Sequence, residues 1–257
     1  VTSPGLATDA LARASFSIER RAAGCTVVET PLRRNFWFGN CLVLDAAPLP
    51  AEYDRWLDLH AEIFAGTAVQ RRVVQWETAG ERDDPPRPSR PQIDLEVSTV
   101  LVSDAAPTAA PRSDVALREL SGDADWSCVE GLERSESDVN DPPGFAEFYT
   151  WRTRMLRLDT ERGRARVFGA IANGDELVAV AGCYACEPWI RLTTPITASA
   201  YRRRGLFSAL LARAVGEARS RFPAARIVVV AAADSAPERL YRSLGFEVHG
   251  YQYALIE

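Results

Sequence analysis

In YRRRGLFSALL, residues 201–211, three arginines (Arg202, Arg203 and Arg204) and Gly205 stand directly before a run of helix formers. The first amides of a helix have no internal partner and the helix dipole is positive there, so such a turn suits a phosphate or pyrophosphate. Gly205 lets the backbone come close, and the arginines add charge. An arginine triplet by itself reads more simply as a solvated helix start; the flanking elements decide between the two. Other groups able to do chemistry are few. The two histidines are His60, on an apolar helical stripe, and His249, in a terminal strand with no visible partner, which argues against a histidine-based nucleophilic mechanism. Of five cysteines only Cys183 and Cys186 are close, and on a strand their side chains point to opposite faces. Free thiols and no metal site are expected.

The chain that carries these groups has 257 residues, 47% apolar and 25% charged, enough for one large or two smaller globular domains. Its formal net charge of −5 argues against a nucleic-acid partner and leaves phosphate attraction to a few local groups, which favours a small phosphorylated ligand. All 30 basic residues are arginine, a composition suggesting a GC-rich bacterial genome. No run approaches the roughly 18–20 apolar residues that span a bilayer, and the N-terminus lacks a secretory layout. The reading is cytoplasmic, without a membrane partner. GERDDPPRPSRP (80–91) reads as a loop and SDAAPTAAPRSD (103–114) as a linker. The predicted division is an α/β domain over 1–104, a linker over 105–114 and a second domain over 115–257.

In the first half, AEYDRWLDLHAEIF predicts an amphipathic helix with Pro50 near its start, and VVQW, QIDLEVSTVLV and the end of RRNFWFGNCLVL predict strands. The second half is clearer. VALREL (115–120) is a short strand, followed by helices around DWSCVEGLERSE and FAEFYTWRTRMLRL. RARVFGAIA and ELVAVAGCYA form a hairpin around Asn173-Gly174-Asp175, and WIRLTTPIT is a third strand. GLFSALLARAVGEARSRF is a helix with Leu206, Leu210, Leu211, Ala214, Val215 and Ala218 on one stripe, and RIVVVAA is a buried strand. The crossover from 189 to 231 should be parallel. In DSAPERLYRSLGF, Ser235 and Glu238 predict a capping box and Gly245 the helix end, before a last strand EVHGYQYALI. YRRRG thus falls at the turn from a strand into a helix N-terminus.

Here the sequence resembles the GNAT superfamily of acyl-CoA-dependent N-acyltransferases. Their loop reads Gln/Arg-x-x-Gly-x-Gly/Ala before a long helix, and this chain has Arg202, Arg203, Arg204, Gly205, Leu206 and Phe207. Downstream, Asp234, Pro237, Leu240, Tyr241, Gly245 and Phe246 occupy the spacing of the family's Asn-x-x-Ala-x-x-Leu-Tyr-x-x-x-Gly-Phe. The resemblance implies an α/β GNAT fold, a mixed central sheet flanked by helices, with acetyl-CoA as co-substrate. It implies that backbone amides from Arg203 to Ser208 hold the pyrophosphate, with Arg202 and Asp234 beside them. It also implies that Pro195, Ile196 and Thr197 offer backbone groups to the pantetheine arm, as an added strand does. Tyr241 would protonate the leaving thiolate; the plainer reading of Tyr241 is a core aromatic. Phe207 departs from the family's glycine or alanine, Asp234 from asparagine, Pro237 from alanine, and Ser199 stands where proline is frequent.

The implied reaction is direct attack of a primary amine on the thioester. A lysine-like amine has a pKa of about 10.4, so a base or water relay must help. The family often places a carboxylate early on the strand that leads into the loop, and Glu187 is the nearest acidic residue; Glu187 also reads as a polar turn residue before Pro188. Glu136 and Asp138, in SESDVND, are alternatives. The first half reads as a degenerate copy of the same fold that binds no CoA and shapes the acceptor cleft. The competing function is a CoA-binding sensor or interaction module without catalysis. The acceptor is left open, as is the oligomeric state, a homodimer included.

Overall fold

The computed structural model describes residues 3–88, 90–107, 115–136 and 145–257, with the side chains of residues 145 and 146 excepted. Asp138 and most of the expected linker lie outside the described residues. By packing, the chain divides into two compact units, residues 1–102 with 229–257 and residues 103–228.

The first unit starts with α1 (Pro4–Arg13), a helix beyond those predicted above, with Ser3-Pro4 as its start signal. A hairpin follows, β1 (Ile18–Ala22) and β2 (Cys25–Glu29), turning at Gly24 with φ 77°. This hairpin also escaped the sequence reading, because β1 is polar and almost wholly exposed and so shows no alternation. Next come β3 (Cys41–Leu44), α2 (Tyr53–Ile63), β4 (Val73–Ala79) and β5 (Asp94–Ser103).

The second unit holds β6 (Ala116–Glu119), α3 (Gly122–Glu136), α4 (Phe145–Glu161), β7 (Ala165–Ala172), β8 (Glu176–Cys186), β9 (Trp189–Thr197), α5 (Leu206–Arg221) and the start of β10 (Arg226–Ala232). Its strands lie in the order β10-β9-β8-β7-β6, with α3, α4 and α5 packed on β7, β8 and β9. Asn173 and Gly174, at φ 51° and 93°, make the tight β7–β8 turn. The predicted stripe of α5 is buried throughout. The β9–α5–β10 crossover is parallel, with Arg226 beside Trp189 and Val228 beside Arg191.

The chain ends with α6 (Ala236–Ser243) and β11 (Glu247–Ile256). β11 pairs antiparallel with β4 on one side and β5 on the other, so the order in the first unit is β1-β2-β3-β4-β11-β5. Packing therefore groups 229–257 with 1–102, whereas the sequence motifs run on from 115 to 257. The seam is aromatic: Trp76 of β4 stacks on Tyr253 of β11 at 5.4 Å, and Tyr53 of α2 lies against Trp76 at 6.0 Å.

The two units repeat one topology. β1, β2 and β3 pair antiparallel in sequence, and β4 then joins β3 in parallel after α2. β7, β8 and β9 pair antiparallel in sequence, and β10 joins β9 in parallel after α5. No short-period sequence repeat announces this, because the strands share patterning and not residues. Among the described residues, no helix is long and apolar enough to cross a membrane, and no group of three or more His, Cys, Asp or Glu could hold a metal.

Candidate active site

β9 is built to stop pairing regularly before the arginine loop. Gly182 faces Thr193 and Val180 faces Ile196, so Thr194 and Pro195 together oppose Ala181, a β-bulge with Thr194 at φ 51°. Pro195 has no amide to give a ladder, which makes it a cause of the bulge and the signal that could have located it. Pro195 is exposed, while Ile196 and Thr197 are half-buried and paired to β8. The parallel register with β10 covers Trp189 to Arg191 only.

From Thr197 the chain makes a 3-10 turn over Ser199–Tyr201 and enters α5 through Gly205, which occupies the left-handed region at φ 74° and ψ 6°. Arg203 also has positive φ, 62°. Among the described residues, no side chain caps α5. Among the described residues, the amides of Arg203, Gly205, Leu206 and Ser208 donate to no partner, and the first regular bond of the helix is Ala209 N–H to the Gly205 carbonyl at 3.1 Å. A Cβ placed on Gly205 would meet nothing within 4 Å. The glycine is therefore required by its backbone angle, and the space beside it is open. Phe207 sits half-buried on the first turn of α5, with Leu206 buried behind it.

The three arginines are not equivalent. Arg202 Nη2 lies 2.5 Å from Glu136 Oε2, and its Nε donates to the Thr197 carbonyl at 3.1 Å. Arg204 donates to the Ala200 carbonyl at 3.0 Å and stacks on the Tyr201 ring at 4.8 Å. Arg203 is exposed and makes no hydrogen bond or ion pair among the described residues. Arg202 is thus paired internally with Glu136, whereas Arg203 is unpaired among the described residues. Tyr201 is fixed in turn: its hydroxyl donates to Glu176 at 2.9 Å and accepts from Asn173 Nδ2 at 3.0 Å.

Glu136 of α3 accepts from Ser199 N–H at 2.9 Å and Ser199 Oγ at 2.7 Å as well as from Arg202. Burial pushes its carboxyl up, but the Ser199 hydroxyl and amide and the Arg202 guanidinium outweigh this and hold it below the usual carboxylate range. A carboxylate so occupied is a poor proton acceptor near neutral pH. Glu187 lies exposed in the β8–β9 turn, beside the cis bond to Pro188. The nine-residue β9 separates it from the loop by about 26 Å at 3.3 Å per residue. Cys183 is buried, with burial pushing its thiol up to about 12, and Cys186 is exposed; both are free.

Tyr241 and Asp234 belong to the other compact unit. Ser235 caps α6 by accepting from Glu238 N–H at 3.2 Å. The return half of the predicted box is displaced by one residue, since Glu238 Oε2 accepts from Asp234 N–H at 2.6 Å. Asp234 takes φ 61°, and its exposed carboxylate pairs with Arg82 at 2.7 Å. The Leu-Tyr-x-x-x-Gly-Phe spacing has a local cause. Phe246 N–H reaches back to the Tyr241 carbonyl at 3.1 Å and Gly245 N–H to Arg242 at 3.0 Å, with Gly245 at φ 86°. This is a Schellman cap, closed by edge-on contact of the Tyr241 and Phe246 rings at 5.7 Å. The Tyr241 side chain is buried.

Residues 129–246 match the sequence model of the Acetyltransferase (GNAT) family. They form a GNAT-family domain. Solved structures carry the same GNAT architecture over nearly the whole chain. A conserved protein of unknown function from Staphylococcus epidermidis superposes with a TM-score of 0.73 at 10% identity, covering 94% of both chains. A GCN5-related N-acetyltransferase from Kribbella flavida gives 0.66 at 13% identity, covering 98% of this chain and 93% of that one. A tandem GNAT protein from the clavulanic acid biosynthesis pathway gives 0.56 at 14% identity, covering 92% and 80%. No curated protein matches the chain in sequence. The GNAT match spans the bulged strand, the arginine loop and α6, the segments described above.

Proposed function

We propose that the protein is an N-acetyltransferase that moves an acetyl group from acetyl-CoA to a primary amine, with residues 115–257 as the working domain. The observation that carries this reading is the set of unspent amides at Arg203, Gly205, Leu206 and Ser208, on a turn into an uncapped helix, within a GNAT-family segment. Oriented amides at a positive helix end suit a pyrophosphate. The amides from Arg203 to Ser208 would hold it, with Arg203 as the exposed cation and Arg204 and Asp234 at its margins. Past the bulge, the backbone of Pro195, Ile196 and Thr197 would take the pantetheine arm in strand fashion.

The amine nitrogen attacks the thioester carbonyl, a C–N bond forms as the C–S bond breaks, and the thiolate takes the proton of the Tyr241 hydroxyl. The proton lost by the amine leaves through water; Glu187, exposed in its turn, would act only through such a relay. The first half would be a copy of the fold that binds no CoA. In it the amide of Leu49, ahead of α2, is already taken by the Glu52 carboxylate at 2.9 Å, and a carboxylate at a helix start disfavours a phosphate. The protein would work in the cytoplasm.

The test is Tyr241→Phe, assayed for acetyl transfer on a panel of amines and for CoA affinity. Loss of a positioned acid predicts about a 100-fold fall in kcat with unchanged CoA affinity. Unchanged turnover would remove Tyr241 from the mechanism, and a parent that binds CoA but acetylates no amine would favour the sensor.

A further inference from the structure

We infer that Glu136 is a positioning residue for the phosphate-binding turn, and that its ion pair with Arg202 reserves pyrophosphate binding for Arg203 and the backbone amides. The inference rests on the acetyl-CoA reading above and goes beyond it by assigning Arg202 of the arginine triplet a structural role and Arg203 a ligand-facing one.

Glu136 is a carboxylate largely withdrawn from water, with its side chain 14% exposed. Three donors from one short segment account for this: Ser199 N–H, Ser199 Oγ and Arg202 Nη2. Ser199 opens the 3-10 turn and Arg202 follows its end, so one carboxylate grips the turn at both sides. Arg202 also closes onto the Thr197 carbonyl, tying the turn to the end of β9. The residues fixed in this way immediately precede Arg203 and Gly205, whose positive φ values aim the unspent amides. These segments are 63 residues apart in sequence and are joined by charge-assisted bonds, which are the strong and directional ones.

Two explanations of the pair give opposite signs. If Glu136 orients the turn, removing its charge loosens the amides and weakens CoA. If the pair only masks a cation, removing Glu136 adds a net positive charge and strengthens CoA, with a steeper salt dependence.

The experiment is calorimetric titration with CoA of the parent, Glu136→Gln, Arg202→Gln, the double variant and Arg203→Gln, each checked for folding by circular dichroism. The expected result is affinity about tenfold weaker for Glu136→Gln at unchanged stoichiometry. Arg202→Gln and the double variant should match it, because all three break one unit, whereas Arg203→Gln should lose affinity with a shallower salt slope. A merely structural role would lower the fraction of binding-competent protein, and hence the stoichiometry, without moving the dissociation constant. Glu136→Gln binding as tightly as the parent, or more tightly, overturns the inference alone. A folded parent that binds no CoA overturns the acetyl-CoA reading and the inference with it.

Discussion

Replacing Gly205 by alanine isolates the backbone angle of the loop from every other contribution. At φ 74° and ψ 6° the residue is left-handed, a region that costs an L side chain about 1–2 kcal/mol. The added methyl would meet nothing within 4 Å, so no packing clash enlarges the figure and no contact offsets it. The expected loss is about 1 kcal/mol, a fall of about 2–4 °C in Tm, followed by thermal and urea unfolding monitored by circular dichroism. Gly205→Asn should recover part of this, since asparagine tolerates the left-handed region. Gly182→Ala provides the contrast, because a methyl there would lie 2.7 Å from the Arg166 carbonyl oxygen and must push backbone apart. It should cost clearly more than Gly205→Ala. If Gly205→Ala is as stable as the parent, the left-handed turn into α5 is wrong, and with it the direction of the amides.

His60 should make the first unit acid-sensitive. Its Nε2–H donates to the Asn40 carbonyl at 2.9 Å, Nδ1 is buried without a partner among the described residues, and burial pulls its pKa below 6.5. Above pH 6.5 both folded and unfolded chains hold it neutral; as pH falls through 6.5 only the unfolded chain gains the proton, and this contribution to stability declines until the folded pKa is passed. Urea midpoints between pH 7.5 and 5 should fall for the parent and fall less for His60→Gln. In the second unit, Glu133 is buried and binds Arg152 at 2.7 Å and the Thr153 hydroxyl, joining α3 to α4. Glu133→Ala should lower the unfolding free energy by about 2 kcal/mol, moderated because Arg152 can rehydrate; a loss under about 0.5 kcal/mol would show that the pair does not hold the helices.

Local chemistry was legible in the sequence where a few adjacent residues suffice. Asn173-Gly174 set a hairpin, Ser235 and Gly245 bounded α6, and Arg202 to Gly205 marked the helix entry. What escaped depends on distant partners. Nothing around Glu136 indicates that it meets Ser199, and nothing in EVHGYQYALI says that it inserts between β4 and β5. The one-residue slip at Thr194 had a signal in Pro195, but placing a bulge requires knowing the partner strand. Tyr241 shows a further limit: its spacing to Gly245 and Phe246 satisfies a helix cap as well as a family motif, and sequence alone cannot separate the two demands.

The measurement that tests the account most directly is calorimetric titration of the intact chain with acetyl-CoA. The account predicts saturable binding with one molecule per chain, weakened by Arg203→Gln, because the entry to α5 offers unspent amides while ahead of α2 Glu52 takes up the Leu49 amide. No binding by folded protein, or two equivalent sites per chain, would contradict it.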